Sequence, residues 1–298
     1  MKKNKIDQCP VCNSNKTSEM YPADIDINKL MFTYAKTPQS NRTFRVVRCS
    51  YCTHVFCSPI PRNIYKNYED VIDHEYLRHS RARILNAKFT LSIIKRYVSS
   101  GLMLDVGCAT GDFLKVARDY GYQVEGLELS KWSSKITRDK DIHVYRENLK
   151  SLANRFYKRY DVITMWGVIE HFENPIDEIK YIKKLLKPGG ILAIWTGDVN
   201  SITSRFLQRR WWYWQGQHIQ YFTHSSLNYL AESSGIKHTK TLLYPFLATY
   251  ELMRNSLKRY RFWPGVLKIL RPLFKIKPVW VLHIPGEMFW IGRKSEKL

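Results

Sequence analysis

The chain has 298 residues, 44% of them hydrophobic, and sets 48 Lys and Arg against 26 Asp and Glu for a formal net charge of +22. That length accommodates one large domain and a small one, and the hydrophobic share is that of a globular protein. No run approaches the ~18 apolar residues of a membrane-spanning helix, while the charge predicts attraction to something anionic, be it nucleic acid, a membrane surface or a phosphorylated substrate.

The opening Met1-Lys2-Lys3-Asn4-Lys5 is basic with no apolar stretch behind it. This argues against a secretory leader and for the cytoplasm, where the six cysteines read as metal ligands or free thiols. Four of them are paired, as Cys9-Pro10-Val11-Cys12 and Cys49-Ser50-Tyr51-Cys52. Two such knuckles bring four thiolates to one tetrahedral centre, which predicts a structural zinc ribbon over residues 1–60. Phe44–Val47 alternates into the second knuckle as a strand. A closed sulfur shell has no open position for chemistry. Its metal supplies folding free energy that a small module cannot draw from its own core. His54 and Cys57 read as ordinary packed side chains. Residues 61–100 read as a helical connector, with Ala82, Leu85, Phe89, Ile93 and Ile94 on one helical face.

Leu102, Met103, Leu104 and Val106 leave no room for a solvated face, as in a strand buried on both sides of a parallel sheet. Gly107 and Gly111 allow a sharp turn close to a ligand. Phe113, Leu114, Val116 and Ala117 have helical spacing, and Tyr120-Gly121 ends that helix. A second strand, Val124–Leu129, ends beside Glu128. This is half of a doubly wound α/β domain, whose ligand belongs at the carboxyl ends of the strands. A polar helix follows over Lys131–Lys140, then strands His143–Tyr145 and Tyr160–Trp166. A helix over Ile176–Leu186 and a turn at Lys187-Pro188-Gly189-Gly190 lead into a strand over Ile191–Thr196.

Asp105-x-Gly107-x-x-Thr110-Gly111, with Glu128 closing the next strand, resembles motif I of the class I S-adenosylmethionine (SAM) methyltransferases. Tyr160-Asp161-Val162-Ile163 leading to Glu170-His171, and Leu186-Lys-Pro-Gly-Gly before a strand, resemble two further hallmarks of that superfamily. The resemblance covers roughly residues 101–196. It implies a Rossmann-like seven-stranded sheet with SAM bound by Asp105, Gly107, Cys108, Ala109, Gly111, Glu128 and Leu129. It also implies that Asn148 and Leu149 meet the adenine and that Trp166 packs on the adenine or sulfonium. Ala109 replaces the usual middle glycine; alanine is expected to hold a negative φ there, with slight crowding. Helices before motif I cover the cofactor in this class, which makes Tyr65, Tyr68 and Tyr76 lid candidates. Glu170 and His171 lie at the ligand end of a strand, and His171 suits a general base. Both are also open to a divalent site, although no second ligand pair at telling spacing stands out.

Farther on, His218-x-x-Tyr221-Phe222-Thr223-x-x-Ser226-Leu227 resembles a segment of small-molecule methyltransferases of cell-surface sugar and natural-product pathways. It offers His218 and Tyr221 to hold or deprotonate a hydroxyl. Thr223 reads as the cap of a helix over Ser225–Ser234. Between Arg254 and Lys277 there are eight Lys and Arg and no acid, interleaved with Leu257, Tyr260, Phe262, Trp263, Val266, Leu267, Ile269, Leu270, Leu273 and Phe274. Such a stretch suits an anionic membrane interface, stacking on RNA bases, or docking on its own domain. Glu287–Gly292 reads as a final, antiparallel seventh strand.

The expected organisation is a zinc module over 1–60, a connector over 61–100, a methyltransferase domain over 101–249 and 286–298, and a basic amphipathic insertion over 250–285. The expected activity is SAM-dependent methylation of a small-molecule, sugar-linked or lipid-linked acceptor, with peripheral membrane contact through 250–277. An RNA-modifying methyltransferase and a non-catalytic SAM-binding scaffold at membranes are the alternatives.

Overall fold

The architecture comes from a computed structural model that describes residues 7–26, 34, 42–63, 67–244, 246–250, 253–254, 269, 271–274, 279–282 and 285–296. In the N-terminal part β1 (Thr17–Tyr21), β2 (Val46–Cys49) and β3 (Val55–Cys57) form an antiparallel meander. Each knuckle closes on a residue with positive φ directly after its second cysteine, Asn13 at 61° and Thr53 at 64°. The strand expected over Phe44–Val47 begins at Val46 and carries Cys49 itself at its end.

The helices α1 (His74–Arg78) and α2 (Ser80–Ile94) lead into the main sheet. Its parallel strands are β4 (Gly101–Val106), β5 (Tyr122–Leu127), β6 (His143–Tyr145), β7 (Tyr160–Trp166) and β8 (Leu186–Gly197). Between them run α3 (Asp112–Asp119), α4 (Lys131–Arg138), α5 (Leu149–Arg155) and α6 (Pro175–Leu185). After β8 come α7 (Ile202–Leu207), the two-residue β9 (Gln220–Tyr221) and α8 (His224–Ser233). Next are β10 (Ile236–Leu243), a separate hairpin of β11 (Phe246–Thr249) with β12 (Val279–Leu282), and β13 (Glu287–Lys294).

The seven-stranded sheet runs β10-β13-β8-β7-β4-β5-β6, with β13 antiparallel to both its neighbours. The order reverses direction between β4 and β7, so the crevice for a ligand opens at the carboxyl ends of those two strands. Alternation explains the unbroken apolar runs. Leu104, Ile163, Leu192 and Ile194 pack on one face. Met103, Val162, Ile191 and Ala193 pack on the other, as in a sheet covered on both sides.

Three details differ from the sequence reading. Lys187–Gly190 is no turn before the strand: pairing with β7 jumps from Tyr160↔Leu186 to Val162↔Ile191, so these residues bulge out of a strand that already begins at Leu186. Thr223 caps α8 as expected, in a reciprocal capping box with Ser226, but the helix runs His224–Ser233, one residue earlier than Ser225–Ser234. Ala109 does not hold a negative φ; it sits at +46°. Its N–H donates to Glu128 Oε2 at 2.9 Å and its carbonyl accepts from Thr137 Oγ1 at 2.8 Å, and these two bonds force the left-handed conformation. An L-residue pays about 1 kcal/mol there. Ala109→Gly is expected to stabilise the protein by about that amount, a Tm rise of about 2–4 °C in thermal unfolding.

The basic stretch Arg254–Lys277 lies largely outside the described residues, as does Tyr65. Within it, Arg271 stacks over the Tyr250 ring, and Ile269 and Leu273 are exposed.

Candidate functional site

At the end of β4 the chain turns through Gly107 (φ +68°) and Gly111 (φ +73°). A Cβ at Gly107 would lie 2.6 Å from Val168 Cγ2, and one at Gly111 would lie 2.6 Å from Thr137 Cγ2. Both positions therefore need glycine for conformation and for space. Asp105, the next-to-last residue of β4, is buried between strands and accepts from Thr164 Oγ1 of β7 at 2.7 Å. Burial pushes its carboxyl up to about 8. Glu128, directly after β5, is also buried. Its carboxylate accepts the Ala109 N–H at 2.9 Å and the Ser130 N–H at 2.8 Å, and burial raises its pKa. Cys108 is buried under Gly126, and Leu129 is half-buried beside Glu128. Trp166 ends β7, packed on Phe113 and Phe289 at 4.7 and 5.7 Å between ring centres; its buried Nε1 has no partner among the described residues.

These features fit SAM. The crevice has a close-approach glycine turn, two buried carboxylates at adjacent strand ends and an orphaned indole donor. The adenine pair fits less directly. Asn148 accepts the Ser151 N–H at 2.9 Å and caps α5, so its side-chain oxygen is already engaged, and Leu149 is buried in the core.

Sequence reasoning missed Tyr34. Its hydroxyl donates to Glu128 Oε1 at 3.0 Å, its N–H to Asp73 at 3.0 Å, and its ring lies 5.1 and 6.4 Å from those of Tyr76 and Tyr68. Nothing near it in sequence marks it, because the contact spans 94 residues. Tyr68 and Tyr76, the lid candidates, stand beside Tyr34. Tyr76 sits under the Arg83 guanidinium at 3.5 Å, and Arg83 and Lys140 both pair with Asp112 at the start of α3.

Beyond β7 a short 3-10 turn over Ile169–His171 presents Glu170 and His171. His218 comes to the same point from the loop before β9, its ring 4.9 Å from that of His171. Glu170 is buried and accepts from Thr196 Oγ1 at 3.1 Å and from the Tyr213 hydroxyl; burial pushes it up to about 7. Burial also holds His171 down to about 4 and His218 well below the ordinary histidine range. Both rings are thus neutral at pH 7. Tyr221 does not join the cluster. Its hydroxyl donates to the His218 carbonyl at 2.8 Å and is spent on holding that loop. Tyr213 lies in the run Trp211-Trp212-Tyr213-Trp214, where nothing in the spacing marks it as a partner of Glu170.

The sulfurs of Cys9, Cys12, Cys49 and Cys52 lie within 4.8 Å of one another, with Cys9–Cys52 at 3.6 Å and Cys12–Cys49 at 3.5 Å. Tetrahedral thiolates about 2.3 Å from zinc stand about 3.8 Å apart, so the donor set fits that ion. His54 and Cys57 pack as expected, His54 Nε2 against Gln220 Oε1 at 2.8 Å.

A family model described as "Methyltransferase domain" matches residues 75–240, more than half of the chain. A SAM dependent methyltransferase from Archaeoglobus fulgidus superposes with a TM-score of 0.53 over 74% of this chain and all of its own, at 17% identity. The ubiquinone biosynthesis O-methyltransferase of Leptothrix cholodnii is 33% identical over 108 residues, which are 33% of this chain and 45% of that protein. That of Idiomarina loihiensis is 32% identical over 94 residues, 30% of this chain and 39% of its own. The chain thus spans less than half the length of these curated relatives. The glycine turn, the two strand-end carboxylates, the seven-stranded order and the family match agree, and the chain belongs to the methyltransferase domain family as a class I SAM-dependent member.

Proposed function

We propose that this chain transfers the methyl group of SAM to an oxygen of a small-molecule acceptor. One observation carries the reading: Glu170, His171 and His218 converge just beyond β7, the strand that pairs in parallel with β4 and its Asp105. SAM supplies a methyl group already activated by its sulfonium charge, so the chain's residues mainly align the partners. Glu128 holds the ribose hydroxyls, Asp105 faces the cationic methionine end, and the Glu170 cluster receives the acceptor hydroxyl. The name of the O-methyltransferase relatives supports oxygen as the nucleophile. Calorimetric titration tests this reading. SAM and S-adenosylhomocysteine are expected to bind saturably, and Glu128→Ala to weaken both at least about tenfold, the loss of one or two charge-assisted hydrogen bonds. Failure of the folded protein to bind either ligand overturns the assignment.

In the same reading the four cysteines hold structural zinc, and the chain divides into the module of residues 1–60, the connector 61–100, the catalytic domain 101–249 with 286–298, and the insertion 250–285. A lipid-linked acceptor is favoured over a sugar-linked one by Ile202 and Phe206, which stand 75% and 84% exposed on either side of Arg205 on α7. Apolar side chains flanked by Arg suit an anionic bilayer surface. Among the described residues no helix is long and apolar enough to cross a membrane.

A further inference from the structure

Glu170, His171 and His218 each offer one donor atom, and the three atoms lie within 4.8 Å of one another. The hydrogen bonds around them determine what they present. His171 Nδ1 lies 2.9 Å from the Gln217 carbonyl, and His218 Nδ1 lies 2.8 Å from the Tyr213 carbonyl. A carbonyl oxygen only accepts, so Nδ1 of each neutral ring carries the proton toward its carbonyl and the lone pair falls to Nε2, with the Tyr68 hydroxyl a second neighbour of His171 Nδ1 at 3.2 Å. Glu170 in turn is fixed by two hydroxyl donors, one on each oxygen: Tyr213 on Oε1 and Thr196 on Oε2. Imidazoles locked by a backbone carbonyl at Nδ1, and a carboxylate oriented by hydroxyls, are what the outer shell of a metal centre looks like.

We propose that Glu170, His171 and His218 bind one divalent transition-metal ion, separate from the cysteine centre. The donor set selects the metal class. Two imidazoles with one carboxylate suit zinc, cobalt, iron or manganese rather than the all-oxygen shells of calcium and magnesium. Three protein ligands leave coordination positions open, whereas the four cysteines leave none. An ion about 2.1 Å from each donor needs the three to close in by about an ångström.

This inference rests on the O-methyltransferase reading for its purpose. The open position takes the acceptor's hydroxyl oxygen and makes its proton easier to lose. The proton leaves to solvent, a carbon–oxygen bond forms as the carbon–sulfur bond breaks, and the sulfonium becomes the neutral thioether of S-adenosylhomocysteine. The two histidines then act as ligands and not as the base.

The test is a Co2+ titration of full-length protein whose cysteine centre is already loaded with zinc. Expected is one cobalt per chain with visible d–d bands and no thiolate charge-transfer band, which separates this centre from the cysteines. His218→Gln and His171→Gln should each weaken cobalt binding by about a hundredfold or more. Tyr213→Phe, which only frees Glu170 to turn, should weaken it about tenfold. SAM affinity, measured on the same samples, should stay within about threefold and certifies the fold. Wild-type protein that binds SAM but no cobalt overturns the metal centre and leaves the methyltransferase reading standing. Cobalt binding that survives both histidine substitutions, or that shows thiolate charge transfer, also overturns it. Cobalt binding without SAM binding would instead sink the methyltransferase reading.

Discussion

Stripping the zinc proposed for the cysteine centre is expected to loosen the Glu170–His218 region as well as the module itself. The meander does not end at β3: β9 pairs with it, Val55↔Tyr221 and Phe56↔Gln220, although 165 residues or so of chain lie between them. The Cys57 N–H donates to the Ile219 carbonyl at 2.9 Å, and the Ile219 N–H donates to the Glu170 carbonyl at 2.9 Å. Thr53 and Thr223 share a hydroxyl bond at 2.8 Å, and the Tyr21 ring meets Trp214 edge-on at 5.3 Å. Structural zinc supplies about 10–16 kcal/mol in isolated finger peptides, far more than three short strands supply by themselves. Chelation, or Cys49→Ser, should therefore speed amide exchange at Val46–Cys49, Val55–Cys57 and Ile219–Tyr221 by about a hundredfold or more, in one cooperative unit. Trp214 emission should shift red with it. Strands β4, β5 and β7 should keep their protection, because their core is the main sheet. Unchanged exchange at Ile219–Tyr221 after verified metal loss would show that β9 is held by the catalytic domain alone.

That coupling also marks where the sequence stops being informative. Motif I, the strand ends and the knuckles are legible because their chemistry is local: Asp105 to Gly111 is one turn, and each Cys-x-x-Cys is one loop. The alternation of Met103 and Leu104 gives the sheet its two covered faces for the same reason. Contacts between distant segments leave no such trace. Tyr213 on Glu170, Tyr34 on Glu128 and β9 on β3 each join residues that no spacing rule relates. His218 was legible as a polar residue in a recognisable segment, but its meeting with Glu170 and His171 depends on the turn after β7 and the loop before β9 reaching one point. Ala109 erred for a different reason. Its φ is imposed by Glu128 and Thr137, not chosen by the alanine, so intrinsic preference was overruled by two tertiary hydrogen bonds.

SAM binding is expected to expel about one proton at pH 7, and Asp105 is its source. In the free protein Asp105 is buried against β7 with one hydroxyl donor, and its pKa stands near 8 against an ordinary 3.8. The folded state therefore keeps a proton there that the unfolded state gives up. Stability from this group is fully present below about pH 4 and is lost progressively as pH rises through 8. A cationic ligand beside the carboxylate reverses the preference, because an opposite charge favours the ionised form. Binding must then discharge the proton, which costs about 1.4 kcal/mol at pH 7, one unit below the pKa. The SAM dissociation constant should accordingly fall about tenfold from pH 6 to pH 7 and level off above pH 8. Calorimetry in buffers of different ionisation enthalpy should count close to one proton released. Asp105→Asn should bind more weakly at pH 8, release no proton and show a flat profile. It should also be more stable than the wild type at pH 8, since its amide has no proton to lose. A pH-independent wild type with no proton release would place the cationic end of SAM away from Asp105 and assign that carboxyl to the sheet instead.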